Sequence, residues 1–267
     1  MGVCVFRPIL VFDSGIGGLS VLSEIRSLLP GRDYVYLFDN ARLPYGELQD
    51  EVLISGCVDL VVRLSRQIDA ALVVIACNTA STLVLPALRA QLSIPVVGVV
   101  PAIKPAAQLS RVGEIGLLAT PGTIKRDYTR QLIEDFAGDS QVHLFASSEL
   151  VLLAERKMAG APVNYEDLMK ILAPIKETDL DVLVLGCTHF PMLKQEMRDC
   201  LGDKVSLLDS GKAIARRVDS LLPDNSMVTE KMGLLLGYHT TANIEPGLCE
   251  RLELLGFSKL SYFPPAE

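Results

Sequence analysis

Short apolar, β-branched runs alternate with amphipathic segments along most of the chain. The runs predict strands at Ile9–Phe12, Tyr34–Phe38, Leu72–Ala76, Val96–Val100, Ile115–Ala119, Val142–Phe145, Val182–Gly186 and Val205–Leu208. Between them, Leu19–Leu29, Gln49–Ile68 and Gly122–Phe136 carry apolar residues at helical spacing. This alternation favours an α/β architecture with parallel sheets that are buried on both faces.

One segment of the chain occurs twice in related form. Asp69–Ser81 (DAALVVIACNTAS) aligns with Asp179–Pro191 (DLDVLVLGCTHFP), so that Cys187 follows Cys77 by 110 residues. A weaker echo joins the turn Asp13–Gly15 to the turn Ala119–Gly122. We therefore predict two related doubly wound parallel-sheet domains that face each other across a central cleft.

Two turn-rich segments indicate where the chain passes between these domains. Ile94–Pro105 contains three prolines and reads as a crossover, and Leu208–Gly211 reads as the return. The predicted first domain is discontinuous, with residues 1–98 plus 210–267, and the second domain comprises residues 99–209. Asp224–Met227 reads as a polar loop, and the final stretch to Glu267 as a smaller, less patterned addition.

Composition excludes several classes of function. The 25 Lys and Arg against 32 Asp and Glu give a net charge of -7, which offers no basic field for nucleic acid. Apolar runs fall short of the roughly 18 residues that a membrane helix needs. Since the amino terminus also lacks a signal-peptide pattern, we expect a cytoplasmic protein. The six cysteines form no C-x-x-C pair, so free thiols are expected rather than a zinc ribbon.

Two of these cysteines occupy equivalent positions in the repeat. Each of Cys77 and Cys187 follows a predicted buried strand and precedes a polar pair, Asn78-Thr79 or Thr188-His189. Ligands of open α/β sheets bind at this carboxyl edge, where the positive end of the next helix lowers a thiol pKa. A buried cysteine can also serve simply as a small apolar residue, but the repetition favours chemistry.

A histidine lies close to the second thiol in sequence. His189 could act as a helper base for Cys187, two residues earlier, or could cap the following turn. The other histidines, His143 and His239, have no metal-ligand spacing to it, so we expect no metal site.

Two further loops end predicted strands. Asp13–Gly18 (DSGIGG) lies where a dinucleotide-binding turn would lie, and Asp39 ends the next strand. Ser20 replaces the third glycine of that motif, so a tight turn capped by Ser14 is the other interpretation. Asn40–Gly46 is a candidate ligand-contact loop at the same edge.

Together these motifs resemble, in order and spacing, those of the bacterial glutamate racemases, within the aspartate/glutamate racemase family. The resemblance rests on Phe12–Gly18, Pro44–Gly46, Ala76–Ser81 and Leu185–Pro191, and no motif is recognised beyond Pro223. It implies that two thiols are the acid and base, that three residues assist them, and that four residue pairs hold the substrate. The thiols are Cys77 and Cys187; the assistants are Asp13, His189 and, on a looser match, Glu155; the pairs are Asp13-Ser14, Tyr45-Gly46, Asn78-Thr79 and Thr188-His189.

The resemblance also implies an activity and its partners. The expected reaction is cofactor-independent interconversion of L-glutamate and D-glutamate, which supplies D-glutamate for peptidoglycan. Some relatives respond to a cell-wall precursor as activator, and the chain is expected to be a monomer or a homodimer. Neither pyridoxal phosphate nor a metal is implied.

The residues support this chemistry on their own. Inverting an α-carbon requires removing a proton from one face and delivering another to the opposite face, so two acid–base groups must flank it. One thiol from each half of a repeat meets that need. Three alternatives stay open on the sequence: a nicotinamide-dependent oxidoreductase, a non-catalytic binding module with a two-lobed cleft, and a racemase of another acidic amino acid such as aspartate.

Overall fold

The computed structural model of the chain describes residues 7–222 and 232–265. Within them the strands are β1 (Ile9–Asp13), β2 (Tyr34–Phe38), β3 (Leu72–Ile75), β4 (Val96–Gly98), β5 (Glu114–Ala119), β6 (Gln141–Ala146), β7 (Val182–Leu185), β8 (Ser206–Leu208), β9 (Leu235–His239) and β10 (Lys259–Tyr262). They form two sheets, of order β10-β9-β2-β1-β3-β4 and β6-β5-β7-β8, in which the described pairings are parallel.

Helices connect the strands and cover both sheets. They are α1 (Leu19–Leu28), α2 (Asp50–Gln67), α3 (Asn78–Ser81), α4 (Leu85–Gln91), α5 (Ile103–Leu109), α6 (Pro121–Lys125), α7 (Asp127–Phe136), α8 (Glu149–Met158), α9 (Tyr165–Lys176), α10 (Lys194–Leu201), α11 (Gly211–Leu221) and α12 (Pro246–Leu254). Short 3-10 turns lie at Asn40–Arg42, Tyr45–Glu47 and Phe190–Leu193. We call the part built on the first sheet the first domain and the part built on the second sheet the second domain.

The two sheets repeat one strand order. The run β2-β1-β3-β4 of the first sheet corresponds to β6-β5-β7-β8 of the second. The backbone just past the central strands repeats too, because Ala76 N donates to Phe12 O at 2.7 Å and Gly186 N donates to Leu118 O at 2.7 Å. The predicted pair of related parallel-sheet domains is thereby confirmed.

Apolar clusters on both faces of each sheet hold the strands rigid. In β1, Ile9 and Val11 pack into one cluster of the first domain, while Leu10 and Phe12 pack into the cluster on the other face. Alternate residues of a strand point to opposite faces, so a strand buried on both sides reads as a continuous apolar run. This packing fixes the carboxyl ends of the strands, where the site loops begin.

The carboxyl-terminal segment is more regular than predicted. Strands β9 and β10, with α12 between them, extend the first sheet beyond β2 instead of forming a less patterned addition. Their place in the first sheet is what a discontinuous first domain requires, whereas the boundaries after residues 98 and 209 stay a prediction. The predicted polar loop Asp224–Met227 lies outside the described residues.

The helix predicted over Gly122–Phe136 is broken in two. Arg126 has extended backbone angles, φ -78° and ψ 143°, and separates α6 from α7. At this break, the Arg126 side chain bonds residues of the first domain. The other predicted elements agree with the structure to within one or two residues at their ends.

The chain passes between the domains twice, after β4 and after β8. The two passages are joined by Ser210 Oγ, which donates to the Val100 carbonyl at 2.6 Å. In the part of the chain that the structure describes, no helix combines the length and apolar character needed to span a membrane.

Candidate active site

Both thiols of the repeat lie between the domains. Cys77 follows β3 and Cys187 follows β7, so each lies at the carboxyl edge of its own sheet. Their exposed fractions are 4% and 6%. Both contribute to the wall of one cavity, here called the thiol cavity, together with Ser14, Pro44, Tyr45, Gly46, Asn78, Thr79, Thr120, Val151, Thr188 and His189. The room left inside is ≈ 10 Å³, about enough for one water molecule.

Cys77 is held by donors of the first domain. Its sulfur caps α3 by accepting from Ala80 N at 3.5 Å, and shares a hydrogen bond of 3.6 Å with Ser14 Oγ. Burial raises the pKa of the Cys77 thiol, and the Asp13 carboxylate raises it further, against the lowering by Ala80 N–H and Ser14. The surroundings of Cys77 therefore favour the protonated thiol, and the lowered pKa expected from the start of the next helix is wrong for this cysteine.

Cys187 lies beside an ionisable pair. Its sulfur is 3.8 Å from His189 Nδ1, and His189 Nε2 lies 2.7 Å from Glu155 Oε1. Burial by itself lowers the pKa of His189, but the hydrogen bonds to Cys187 and Glu155 and their negative charges outweigh it, so that the pKa lies well above its usual value. The positive charge favoured on His189 lies beside the Cys187 sulfur, so the surroundings of the two thiols are electrostatically unequal.

Glu155 and Asp13 stand behind the cavity wall. Glu155 Oε1 also accepts from Ile16 N at 2.9 Å, and so bonds the glycine turn of the first domain to the histidine of the second. Asp13 is fully buried and accepts from Gly18 N at 2.8 Å and from Thr188 Oγ1 at 3.3 Å. Burial raises the pKa of Asp13, against the lowering by His189 and the Gly18 N–H. Each carboxyl group therefore touches both domains.

The Tyr45-Gly46 loop is fixed by a buried carboxylate. Asp39 accepts from Tyr45 Oη at 2.5 Å, from Arg42 Nε at 2.6 Å and from Thr240 Oγ1 at 2.6 Å. Thr240 follows β9, so the carboxyl-terminal segment supports this loop. The sequence singled out Asp39 only as part of the dinucleotide-binding alternative, whereas the structure shows both of its carboxylate oxygens bonded within the protein.

A triangle of threonine hydroxyls joins the domains beside the cavity. Thr79 Oγ1 lies 3.0 Å from Thr120 Oγ1 and 3.1 Å from Thr123 Oγ1, and the last two are 3.0 Å apart. Thr120 and Thr123 were not among the predicted site residues. A signal for Thr120 existed, because the turn Ala119–Gly122 echoes the turn that contains Ser14.

Side chains of the second domain pack against the glycine turn. A Cβ on Gly15 would lie 2.1 Å from Glu155 Oε1, and one on Gly17 would lie 2.4 Å from His189 Nδ1. The glycines therefore allow side chains of the second domain to approach the turn closely. This packing disfavours the dinucleotide-binding alternative.

The other histidines have partners away from these bonds. His143 Nε2 lies 2.9 Å from Glu114 Oε2, and His239 Nδ1 lies 2.8 Å from the Thr241 carbonyl. Among residues 7–222 and 232–265, no three or more His, Cys, Asp or Glu side chains are grouped as metal ligands. The described cysteines, Cys57, Cys77, Cys187, Cys200 and Cys249, are free thiols.

A larger groove lies elsewhere among the described residues. It has a volume of ≈ 710 Å³ and runs along α1, with mostly apolar walls that include Leu19, Met192 and Phe257. Size alone would make it the preferred ligand site, but the paired acid–base groups line the thiol cavity. The chemistry therefore points to the smaller space.

Comparison with known proteins agrees with this geometry. The family model for Asp/Glu/Hydantoin racemase matches residues 9–218. A glutamate racemase from Shewanella sp. (strain ANA-3) is 61% identical over 261 residues, which are 95% of this chain and 96% of that protein.

Solved structures extend the comparison to the whole fold. The Escherichia coli glutamate racemase in complex with L-glutamate and the activator UDP-MurNAc-ala is 44% identical, with a TM-score of 0.90 over 98% of this chain and 99% of that one. The Francisella tularensis glutamate racemase in complex with D-glutamate is 26% identical, with a TM-score of 0.79 over 96% and 97% of the two chains. On sequence and fold alike, the chain belongs to the Asp/Glu/Hydantoin racemase family.

Proposed function

We propose that the protein interconverts L-glutamate and D-glutamate by two-base proton transfer at Cα, without a cofactor. One observation carries this proposal: Cys77 and Cys187 end equivalent strands of two related sheets and line the same small cavity. An amino acid held between them has one thiol on each side of its α-carbon. Inversion needs that arrangement, because the proton must leave from one face and arrive on the other.

The proton balance follows from the unequal thiols. In one direction of the proposed reaction, Cys187 beside His189 starts as the base, and Cys77 starts as the acid that carries a proton. The Cys187 thiolate takes the α-proton from the substrate, and Cys77 then gives its proton to the opposite face of the carbanion. The enzyme is left with the reverse distribution, which is the form required by the other enantiomer.

The surrounding groups have supporting roles in this scheme. Glu155 orients His189 and stabilises its charge, and Asp13 makes Cys77 a stronger base by raising the pKa of its thiol. The developing carbanion needs fixed donors at the substrate carboxylates. Ser14, Tyr45, Gly46, Asn78, Thr79, Thr188 and His189 are the proposed substrate-binding residues, and Thr120 joins them because it also lines the cavity. Asp13, which the resemblance also places among the residues that hold the substrate, is not in the described lining of the cavity.

The choice of glutamate over aspartate rests on the relatives. Proteins named glutamate racemase are about 60% identical to nearly the whole chain, and the solved relatives from Escherichia coli and Francisella tularensis hold L-glutamate and D-glutamate. We infer the same substrate here. Its metabolic use would be to supply D-glutamate for peptidoglycan in the cytoplasm.

We extend the proposal to regulation by a cell-wall precursor. The Escherichia coli relative, at 44% identity, was solved with the activator UDP-MurNAc-ala. A muramyl-nucleotide activator is therefore the first effector to test. The expectation that the protein is a monomer or a homodimer stays a prediction.

Circular dichroism of the amino acid tests the activity directly. Purified protein incubated with L-glutamate should bring the ellipticity of the solution to zero, and D-glutamate should reach the same end point. L- and D-aspartate, at the same concentrations, test the alternative substrate. Unchanged glutamate ellipticity with racemised aspartate would replace the substrate, and no change with either would refute the proposed function.

A further inference from the structure

Arg126 of the second domain bonds the first domain at three points. It lies in the break between α6 and α7, and its side chain is 11% exposed. Nη1 donates to the Thr79 carbonyl at 3.2 Å and to Thr82 Oγ1 at 3.2 Å, and Nη2 donates to Asp50 Oδ1 at 2.8 Å. The described hydrogen bonds of this guanidinium therefore all cross the cleft.

Thr79 and Thr82, to which Arg126 donates hydrogen bonds, belong to the Cys77 side of the site. Thr79 lies in α3, whose first turn is capped by the Cys77 sulfur. Its hydroxyl already bonds Thr120 and Thr123 of the second domain. Arg126 adds a charge-assisted bond to the carbonyl of the same residue, so closure of the cleft and the position of the α3 turn are linked.

Under the proposed function, these bonds break whenever the domains separate to admit the substrate. The thiol cavity has room of ≈ 10 Å³ between its walls, so an amino acid reaches the thiols only when the domains separate. Asp50 is about half exposed, with 52% of its side chain accessible. An exposed ion pair is weak and screened by salt, so this contact can open readily, while the part-buried bond to the Thr79 carbonyl supplies the geometry.

We propose that Arg126 is a positioning residue for the racemisation, which closes the cleft by holding the Thr79 carbonyl and thereby sets the α3 turn that carries Cys77. This inference rests on the proposed function. The ion pair with Asp50 has a minor role in this positioning. The main role belongs to the fork, which is the pair of hydrogen bonds from Arg126 Nη1 to the Thr79 carbonyl and Thr82 Oγ1. A planar guanidinium can reach these acceptors and Asp50 together, whereas a lysine ammonium cannot.

Three variants compare the contributions of Arg126. R126A should lower kcat/KM for L- and D-glutamate about 10–10²-fold, the usual worth of a hydrogen bond from a charged group, with a rise in KM because the closed form is less stable. R126K, which keeps the charge but loses the fork, should recover less than half of that loss on a logarithmic scale. R130A is the matched control, because Arg130 lies one turn further along α7 and pairs with Asp127 on the same helix; it should stay within about twofold of wild type.

A charge swap separates attraction from positioning. D50N should cost less than about fivefold in kcat/KM, as for other exposed pairs, and D59N on the same helix is its control, because Asp59 pairs with Arg63 within α2. The double variant D50R/R126D restores an ion pair across the cleft, but an aspartate cannot donate to the Thr79 carbonyl. The activity of the double variant should therefore stay at the R126A level. Free guanidinium added to the assay should partly restore the activity of R126A and leave the activity of R130A unchanged.

Alkylation gives a readout that does not depend on turnover. Iodoacetamide should modify Cys77 several-fold faster in R126A than in wild type, as measured by mass spectrometry of the Cys77 peptide. D-Glutamate should protect Cys77 from iodoacetamide less in R126A than in wild type. Far-ultraviolet circular dichroism checks folding; should R126A not fold, R126K carries the same comparison. R126A or R126K with wild-type kinetics and alkylation, or full recovery in D50R/R126D, would overturn the inference. Wild-type protein without glutamate racemisation would instead refute the proposed function.

Discussion

Replacing Glu155 with glutamine removes one negative charge from the Cys187 side while leaving the geometry in place. The glutamine oxygen can still accept from Ile16 N and from His189 Nε2, the two partners of Glu155 Oε1. What the variant loses is the charge that helps to raise the pKa of His189. The imidazolium beside Cys187 is then less stable, and the Cys187 thiolate with it.

The size of the effect follows from the type of hydrogen bond. A bond to a charged group contributes about 1.5–3 kcal/mol and a neutral one about 0.5–1.5 kcal/mol, so E155Q should lose the difference, about 1–1.5 kcal/mol. This corresponds to a roughly tenfold decrease in kcat/KM. Glu155→Ala removes both bonds and leaves the Ile16 N–H and the imidazole without this acceptor, so its loss should approach about 10²-fold.

The pH profile gives the sign of the charge effect. The imidazolium exists below the pKa of His189, and E155Q lowers that pKa, so the imidazolium is lost at lower pH than in wild type. The basic limb of kcat/KM against pH should therefore move to lower pH in E155Q. Glu149→Gln, at the exposed start of the same helix, is the control. A basic limb at the wild-type pH, or E155Q activity within twofold of wild type at all pH values, would refute the reasoning.

Three further outcomes follow from the same account. C77A and C187A should each lower racemisation by at least about 10²–10⁴-fold, and the double variant should lose little more than either alone, because one gap already breaks the relay; polarimetry measures all three. Gly122→Ala places a Cβ 2.8 Å from the Gly46 carbonyl. Overpacking of about 1–3 kcal/mol should destabilise the closed form of the cleft and raise KM about 5- to 10²-fold. An unchanged KM would contradict closure at this contact. Enzyme dialysed against EDTA should keep its activity and show no gain with added pyridoxal phosphate. A requirement for a metal ion or for pyridoxal phosphate would contradict cofactor-free turnover.

Local pattern sufficed for the parts of the fold that repeat. The central strands are buried on both faces and therefore appear as continuous apolar runs, and the two cysteines reveal the duplication by their constant offset. Strand β9 differs because only alternate residues are fully buried and a glycine stands at its centre. Its pattern is therefore weak, and its pairing with β2 joins residues about 200 positions apart, such as Tyr34 and Leu235.

The site shows the same division. Residues that directly follow a buried strand, such as Ser14 and Cys77, could be selected from sequence because the carboxyl edge of a sheet is known in advance. Side chains that arrive from another element could not. Thr240 reaches Asp39 from 201 residues away, and Arg126 reaches the Thr79 carbonyl from a break in the predicted helix. No local periodicity records such contacts.

Deuterium uptake at Cα tests the central claim, the paired thiol bases, most directly. L-Glutamate is incubated with the enzyme in D₂O, and the reaction is stopped at early conversion. Product and remaining substrate are separated on a chiral column, and the deuterium content of each is measured by mass spectrometry. Two thiols on opposite faces predict D-glutamate that carries deuterium at Cα beside L-glutamate that is still protiated, because the delivered proton comes from a solvent-equilibrated thiol. Early product that retains protium at Cα would mean that a single base returns the proton it removed, and would contradict the assignment of Cys77 and Cys187.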